Sequence, residues 1–193
     1  FLVSTESAAW NNNFQNLNLK NIDTIIHCSA LVHQMQGASW EEYYKINVEQ
    51  TTQLAKKAKK NGVKHFIFLS TVKVYGEESD QSYNEQSNTN PLDDYAISKL
   101  KAEIILREMH DDNFKVAILR NPLIYGFGVK ANFMNLVKLI RKIAILPFKN
   151  INNKRSMVFV GNVCAILDRI IFLEKNGIFL AVDDQSLSTS ELI

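Results

Sequence analysis

KHFIFLS (64–70) runs directly into TVKVYG (71–76). From Phe66 to Leu69 the run is apolar at every position rather than at every second one, which is what a strand covered on both faces requires. Working outward, DTIIHCS (23–29), KVAILR (115–120), SMVFV (156–160) and GIFLAV (177–182) read as further strands. Between them lie helical patterns: WEEYYKINVEQTTQLAKKAKKNG (40–62), which stops on Asn61-Gly62; DDYAISKLKAEIILREMH (93–110); NFMNLVKLIRKI (132–143); and Asn162 to about Glu174. Continuous apolar strands alternating with helices of three or more turns predict a doubly wound α/β fold around a parallel sheet. Such sheets bind ligands at the carboxyl ends of their strands, which puts the residues after Ser29, Ser70 and Arg120 at the ligand edge.

Composition narrows the function. The 193 residues are 46% hydrophobic, enough for a sizeable core, and 22 basic residues against 20 acidic leave a net charge of +2. That balance gives no single-sign field for nucleic acid or an anionic membrane. KKAKK (56–60) reads as the solvated face of one helix, with Ala55 and Ala58 between the lysines. No apolar run approaches the roughly 20 residues a membrane helix needs, so the default location is cytoplasmic. Cys28 and Cys164 sit in apolar segments and are expected to be reduced core residues. His27, His33, His65 and His110 show no ligand spacing, and no metal is expected; His27 is read as a core or cofactor-edge residue. The polar stretch GEESDQSYNEQSNTNP (76–91) is either a substrate-covering loop or a plain surface excursion.

Chemistry concentrates at two places. Ser70 and Thr71 stand where a strand runs out, and YAISK (95–99) puts Tyr95 and Lys99 one helical turn apart on one face. A phenol titrates near 10, but a unit charge about 4 Å away in an effective dielectric near 20 offers roughly 4 kcal/mol, equivalent to as much as about three pKa units. The sequence therefore predicts a tyrosine lowered by Lys99 into a working acid/base, with a strand-end hydroxyl holding the same substrate oxygen.

The order STVKVYG, then YAISK, then RNPLIYGFG (120–128) resembles the extended short-chain dehydrogenase/reductase family, in particular its sugar-nucleotide epimerases and dehydratases, from Asp23 to about Val182. The resemblance implies that Thr71, Tyr95 and Lys99 are catalytic. It also implies that Ser29, Ala30, Asn47, Ser70, Tyr95, Lys99 and Pro122 border the cofactor, with Asn47 more structural than chemical. Thr71, Asn121, Asn132 and Arg155 would meet substrate, the last two at its diphosphate. The implied cofactor is NAD, with NADP open, and the implied substrate a nucleotide sugar.

The wording VHQM, STVKVYGE, GVKANF and RSMVFVGN looks closest to UDP-hexose 4-epimerases or 4-keto-sugar reductases of surface-polysaccharide biosynthesis. Reversible hydride transfer at C4 is the leading expectation; a 4-keto-sugar reductase is the alternative, and an inactive scaffold or NAD-sensing relative stands third. A 4,6-dehydratase fits less well, because Val72-Lys73 stand where those relatives carry Asp-Glu. Relatives pair through the helices matching 40–62 and 93–110, so a homodimer is expected there.

None of the seven glycines forms the family's GxxGxxG turn, residue 1 is Phe, and Ser188 and Glu191 have capping-box spacing close to the last residue. The expectation is a fragment: 1–128 a partial NAD-binding domain without its first βαβ segment, and 129–193 an incomplete substrate-binding region. Such a fragment alone would bind NAD weakly and be inactive.

Overall fold

The computed structural model describes residues 14, 16–32, 38–79, 81–128 and 156–184. The helix expected at 132–143, together with Asn132, Arg155, Ser188 and Glu191, lies outside the described residues.

The chain divides into two compact units, the first made of residues 1–120 and 170–180. Its sheet has the order β1 (Thr24–His27), β2 (His65–Thr71), β3 (Lys115–Asn121) and β6 (Gly177–Leu180). β1 runs parallel to β2 with Thr24 opposite His65 and His27 opposite Phe68, and β3 runs parallel to β6 with Ala117 opposite Gly177. All of β2 except half-buried Leu69 is buried, and so is β3 beyond Lys115, as their continuous apolar runs predict. Phe66, Phe68, Val116 and Ile118 from these strands form the core with Leu54, Ala55 and Ala58 and with Ala102 and Leu106.

The first helical stretch begins with a capping box, in which Ser39 Oγ accepts from Glu42 N while Glu42 Oε2 accepts from Ser39 N. It runs as α1 (Trp40–Tyr43), a π-helical segment (Tyr44–Gln50) and α2 (Thr51–Lys60). Asn47, Val48 and Gln50 are buried in the π segment. In α2 the buried face is Thr51, Leu54, Ala55 and Ala58, while Lys56, Lys59 and Lys60 are exposed, so KKAKK is the solvated face expected of it.

Helix α3 (Asp94–Glu108) is capped by Asp93, whose Oδ1 accepts from Ala96 N at 2.7 Å. Its buried face mixes Ala96, Ala102 and Leu106 with Ser98, Lys99 and Glu103. The polar stretch after β2 is tethered: Asn90 N donates to Val74 O at 2.9 Å, and the rings of Tyr75 and Tyr83 stack 4.9 Å apart.

The second unit, residues 121–169 and 181–193, holds a strand the sequence did not separate from its motif. β4 (Leu123–Tyr125) pairs in parallel with β5 (Met157–Phe159), so SMVFV belongs to a two-stranded sheet of its own rather than to the main one. α4 (Val160–Phe172) follows β5. Asp183 ties this unit together, accepting from Tyr125 OH at 2.8 Å, Asn162 Nδ2 at 2.7 Å and Phe159 N at 3.0 Å. Gly126 stands at φ +132°, where an added Cβ would lie 2.7 Å from Val160 Cγ1 and 2.9 Å from the Phe159 ring; only glycine fits.

Both cysteines depart from expectation. Cys28 and Cys164 are exposed and outside any disulfide, because Cys28 lies one residue beyond the last residue of β1 and Cys164 falls on the outward face of α4.

Candidate active site

β2 ends at Thr71, and a 3-10 turn (Val72–Tyr75) turns the chain away from the sheet. Thr71 is buried and its Oγ1 accepts from Lys73 N at 3.2 Å, which fixes the hydroxyl at the carboxyl end of the strand. Tyr95, in the first turn of α3, is half-buried, and the Thr71 hydroxyl is among the groups that act on its phenol. The ring of Tyr43 from α1 lies against it, centroids 6.4 Å apart at 58°. A strand-end hydroxyl and a phenol, far apart in sequence, thus meet at the sheet's carboxyl edge.

Lys99 is one turn further along α3 and 2% exposed. Its Nζ donates to Leu69 O at 2.6 Å and sits 3.8 Å from the centroid of Phe68. Burial lowers the ammonium to about 7, against the opposing pull of Glu103 and Cys28.

The phenol itself corrects an expectation. Rather than being lowered by Lys99, Tyr95 is pushed up to about 12, chiefly by burial and then by the Asp93 carboxylate; Lys73 and the Thr71 hydroxyl pull the other way. The physical reason is direction. The spacing of four puts both side chains on one face, but the Lys99 ammonium is aimed at the Leu69 carbonyl and the Phe68 ring.

The residues around this pair form two braces. In the first, Asn47 from the π segment receives Leu31 N on Oδ1 at 2.8 Å, donates Nδ2 to Leu31 O at 3.0 Å and also to Ser98 Oγ at 2.9 Å. Ser98 in turn donates to Tyr95 O at 2.7 Å. The chain just beyond exposed Ser29 and half-buried Ala30 is thereby pinned to the helix that carries the tyrosine.

The second brace lies beneath the strand end. Ser70 Oγ donates to Glu103 Oε1 at 2.5 Å, and Glu103 is locked to Arg120 through Nε at 3.1 Å and Nη2 at 2.5 Å, with side chains 1% and 3% exposed. The Arg120 guanidinium also lies 4.6 Å from the Tyr75 ring centroid. Of the two strand-end hydroxyls, Thr71 therefore meets the phenol, while the Ser70 proton goes to the buried carboxylate. Sequence reasoning missed Ser98, Glu103 and Arg120 as parts of this arrangement; a buried Lys-x-x-x-Glu on one helix face was the signal available.

His27 adjoins the second brace's strand. It is buried, shares a 2.9 Å hydrogen bond between Nε2 and Thr51 Oγ1, and stacks on Phe68 at 5.7 Å. Burial first, and the Lys99 charge second, lower it to about 3, so the imidazole is neutral. Asn121 is buried and Pro122 half-buried in the second unit. Among the described residues, no three His, Cys, Asp or Glu side chains gather into a metal-binding group, and no helix is long and apolar enough to cross a membrane.

A parallel sheet with a Thr, Tyr and Lys at its carboxyl edge defines a class of enzyme scaffold. The chain belongs to the NAD dependent epimerase/dehydratase family, whose model matches residues 5–179. It is similar to a UDP-glucose 4-epimerase of Vibrio cholerae, 39% identical over 186 residues, a match that takes in 92% of this chain and 57% of that protein. An N-acetyl-alpha-D-glucosaminyl-diphospho-ditrans,octacis-undecaprenol 4-epimerase of Escherichia coli O157:H7 is 30% identical over 183 residues, 91% of this chain and 54% of that one. Among solved structures, the UDP-glucuronic acid 4-epimerase from Bacillus cereus in complex with NAD superposes with a TM-score of 0.75 at 25% identity, over 91% of this chain and 58% of its own. The chain thus spans about half the length of the curated relatives it matches.

Proposed function

We propose that this chain carries the acid/base centre of a nucleotide-sugar 4-epimerase that works with NAD, Thr71, Tyr95 and Lys99 being its catalytic residues. The observation that carries the proposal is the convergence of the buried Thr71 hydroxyl and the Tyr95 phenol at the carboxyl end of β2, with the Lys99 ammonium held one helical turn away. The 4-epimerase activity in the names of the Vibrio cholerae and Escherichia coli relatives supports the same reading.

The residues present suit the nicotinamide end of the dinucleotide. Ser29 is exposed beyond β1, the backbone at Leu31 is pinned by Asn47, and Lys99 offers an ammonium with three donors, of which Leu69 takes one. Ser29, Ala30, Asn47, Tyr95 and Lys99 would border the cofactor, with Ser70 supporting the strand end; Pro122 is assigned to it on the family pattern alone. When bound, NAD supplies the acceptor and then the donor of hydride at C4.

The chain's own work is with the proton. In the oxidising half the Tyr95 phenolate would take the proton of the C4 hydroxyl as hydride leaves C4. In the returning half the phenol would give that proton back to the keto oxygen, with the Thr71 hydroxyl donating to the same oxygen. With the phenol near 12, the protonated form is the resting one at neutral pH. Asn121 is assigned to the substrate side on the family pattern, together with Asn132 and Arg155 for its diphosphate. A cytoplasmic homodimer through the α1–α2 and α3 helices completes the proposal; exposed Ile104 and Tyr44 on those helices support it.

The test is to incubate the full-length protein and its Tyr95→Phe variant with UDP-glucose and UDP-GlcNAc and follow C4 configuration by NMR with no reduced cofactor added. Epimer formation that falls about 10²- to 10⁴-fold in the variant is the expected result. Turnover only when a 4-keto sugar and reduced cofactor are supplied would replace the proposal with a reductase, and no turnover with either would end the enzyme reading.

A further inference from the structure

The Tyr95 phenol is faced from four directions. Asp93 lies at the cap of its own helix, Lys73 on the turn after β2, Tyr43 on α1, and Thr71 at the strand end. Two of these are joined. Lys73 Nζ pairs with Asp93 Oδ2 at 2.7 Å and with Glu77 Oε1 at 2.8 Å. Asp93 uses its other oxygen to cap α3 through Ala96 N, and the Lys73 backbone N–H holds the Thr71 hydroxyl. A chain of contacts therefore runs from Thr71 through Lys73 and Asp93 to the first turn of α3, which carries Tyr95.

We propose that Lys73 and Asp93 are a positioning pair for the Thr71–Tyr95 centre: their ion pair straps the turn after β2 to the cap of α3, and their opposite charges set the field at the phenol. The inference rests on the acid/base role of Tyr95 given above. The two charges act on the phenol in opposite senses, Asp93 favouring the protonated form and Lys73 the ionised one. Burial alone would lower Lys73, but its hydrogen bonds to Asp93 and Glu77 outweigh this and hold the ammonium above its ordinary range, so it is charged at neutral pH. Loss of either partner thus does two things at once. It releases the strap, and it leaves the other charge with one partner fewer beside the tyrosine.

Tyrosine labelled with 13C at Cζ reports ionisation directly, and Tyr95→Phe assigns the resonance in the full-length protein. Asp93→Asn keeps the helix cap, since Asn caps as well as Asp, and is expected to move the Tyr95 titration down by about half a unit to one unit, a three- to tenfold change. Lys73→Met is expected to move it up out of the accessible range, Lys73→Arg to leave it in place, and the double Asp93→Asn, Lys73→Met variant to lie between the singles. A Tyr95 titration that ignores both single variants in folded protein, or moves the same way in both, would overturn the proposal. The two readings fail separately. Opposite shifts in a protein with no epimerase activity uphold the pair and sink the proposed function, whereas Tyr95-dependent epimerisation with an unmoved titration sinks the pair alone.

Discussion

Asn47 Nδ2 and Ser98 Oγ meet at 2.9 Å, one from a π-helical segment and the other from the helix that carries Tyr95. Both residues are buried, and each has further backbone duties, Asn47 to Leu31 and Ser98 to Tyr95. Asn47→Ala strands the Leu31 N–H and C=O and removes a donor from the serine hydroxyl, which keeps its bond to Tyr95 O. At about 1–3 kcal/mol for each buried polar group left unmade, a loss on the order of 3 kcal/mol is expected, read by urea denaturation of the full-length protein. Ser98→Ala should cost less, since Asn47 keeps both bonds to Leu31.

Glu103 and Arg120 invite a double-mutant cycle. Removing one member of a fully buried, multiply bonded pair leaves the other charge without compensation and costs about 3–5 kcal/mol. Glu103→Leu and Arg120→Leu are each expected to fall in that range, and the double variant to cost less than either single. Equal and additive losses would show that the pair is not coupled. Glu103→Leu should also free the Ser70 hydroxyl, and so disturb the strand end more than Arg120→Leu does.

The neutral state of His27 has a pH signature. Its folded value near 3 lies below the ordinary 6.5, so between those limits the unfolded chain binds more protons than the folded one. Stability from this group is complete above about 6.5 and falls with decreasing pH by up to about 1.4 kcal/mol per unit. His27→Gln lowers stability at pH 7 by losing the stack on Phe68, yet its stability curve between pH 6 and 4 should be flatter than the parent's.

Lys99 gives the same sign in a different window. With a folded value near 7 against an ordinary 10.5, its burden is greatest below pH 7 and lifts as pH rises toward 10.5, by up to about 1.4 kcal/mol per unit. Lys99→Met is therefore expected to be more stable than the parent at pH 6 and to converge with it by pH 10, while losing the proposed activity. Thermal unfolding at several pH values would check this, and a constant difference across them would sink it.

Gly126→Ala tests the second unit. The methyl group would press against the Val160 and Phe159 side chains at a backbone angle alanine resists, and a destabilisation of about 1–3 kcal/mol is expected. Protection of the amides in β4 and β5 against hydrogen exchange is the direct measurement.

Much of this was legible because it depends on local pattern. The runs at Ile25–Ile26, Phe66–Leu69 and Val116–Leu119 could bury both faces only as parallel strands, and the helical stretches from Trp40 and Asp93 followed from their apolar spacing. The meeting of Thr71 with Tyr95 followed from strand-end logic and family order. What escaped depended on direction and on partners distant in sequence. A spacing of four places Lys99 beside Tyr95 but does not say where a long flexible side chain aims. Glu103 and Arg120 lie 17 residues apart, one on a helix and one on a strand, and no local pattern pairs them before the fold brings them together. Leu123–Tyr125 is too short to announce a strand before its partner Met157–Phe159 is known. Cys28 looked apolar by its neighbours, yet it begins the loop beyond its strand.

The π-helical segment from Tyr44 to Gln50 makes one continuous helix serve two masters. Tyr43, before it, lies against Tyr95, whereas Leu54, Ala55 and Ala58, after it, pack into the core of the sheet. A regular helix turns about 100° per residue, so deleting a single residue here would restore ordinary winding and swing one end by that angle relative to the other. Either Asn47 would lose Leu31 or the alanine face would leave the core. The wide turn works as a phase shifter, and through it the chain can alter what borders its chemistry without re-cutting the helix that supports it.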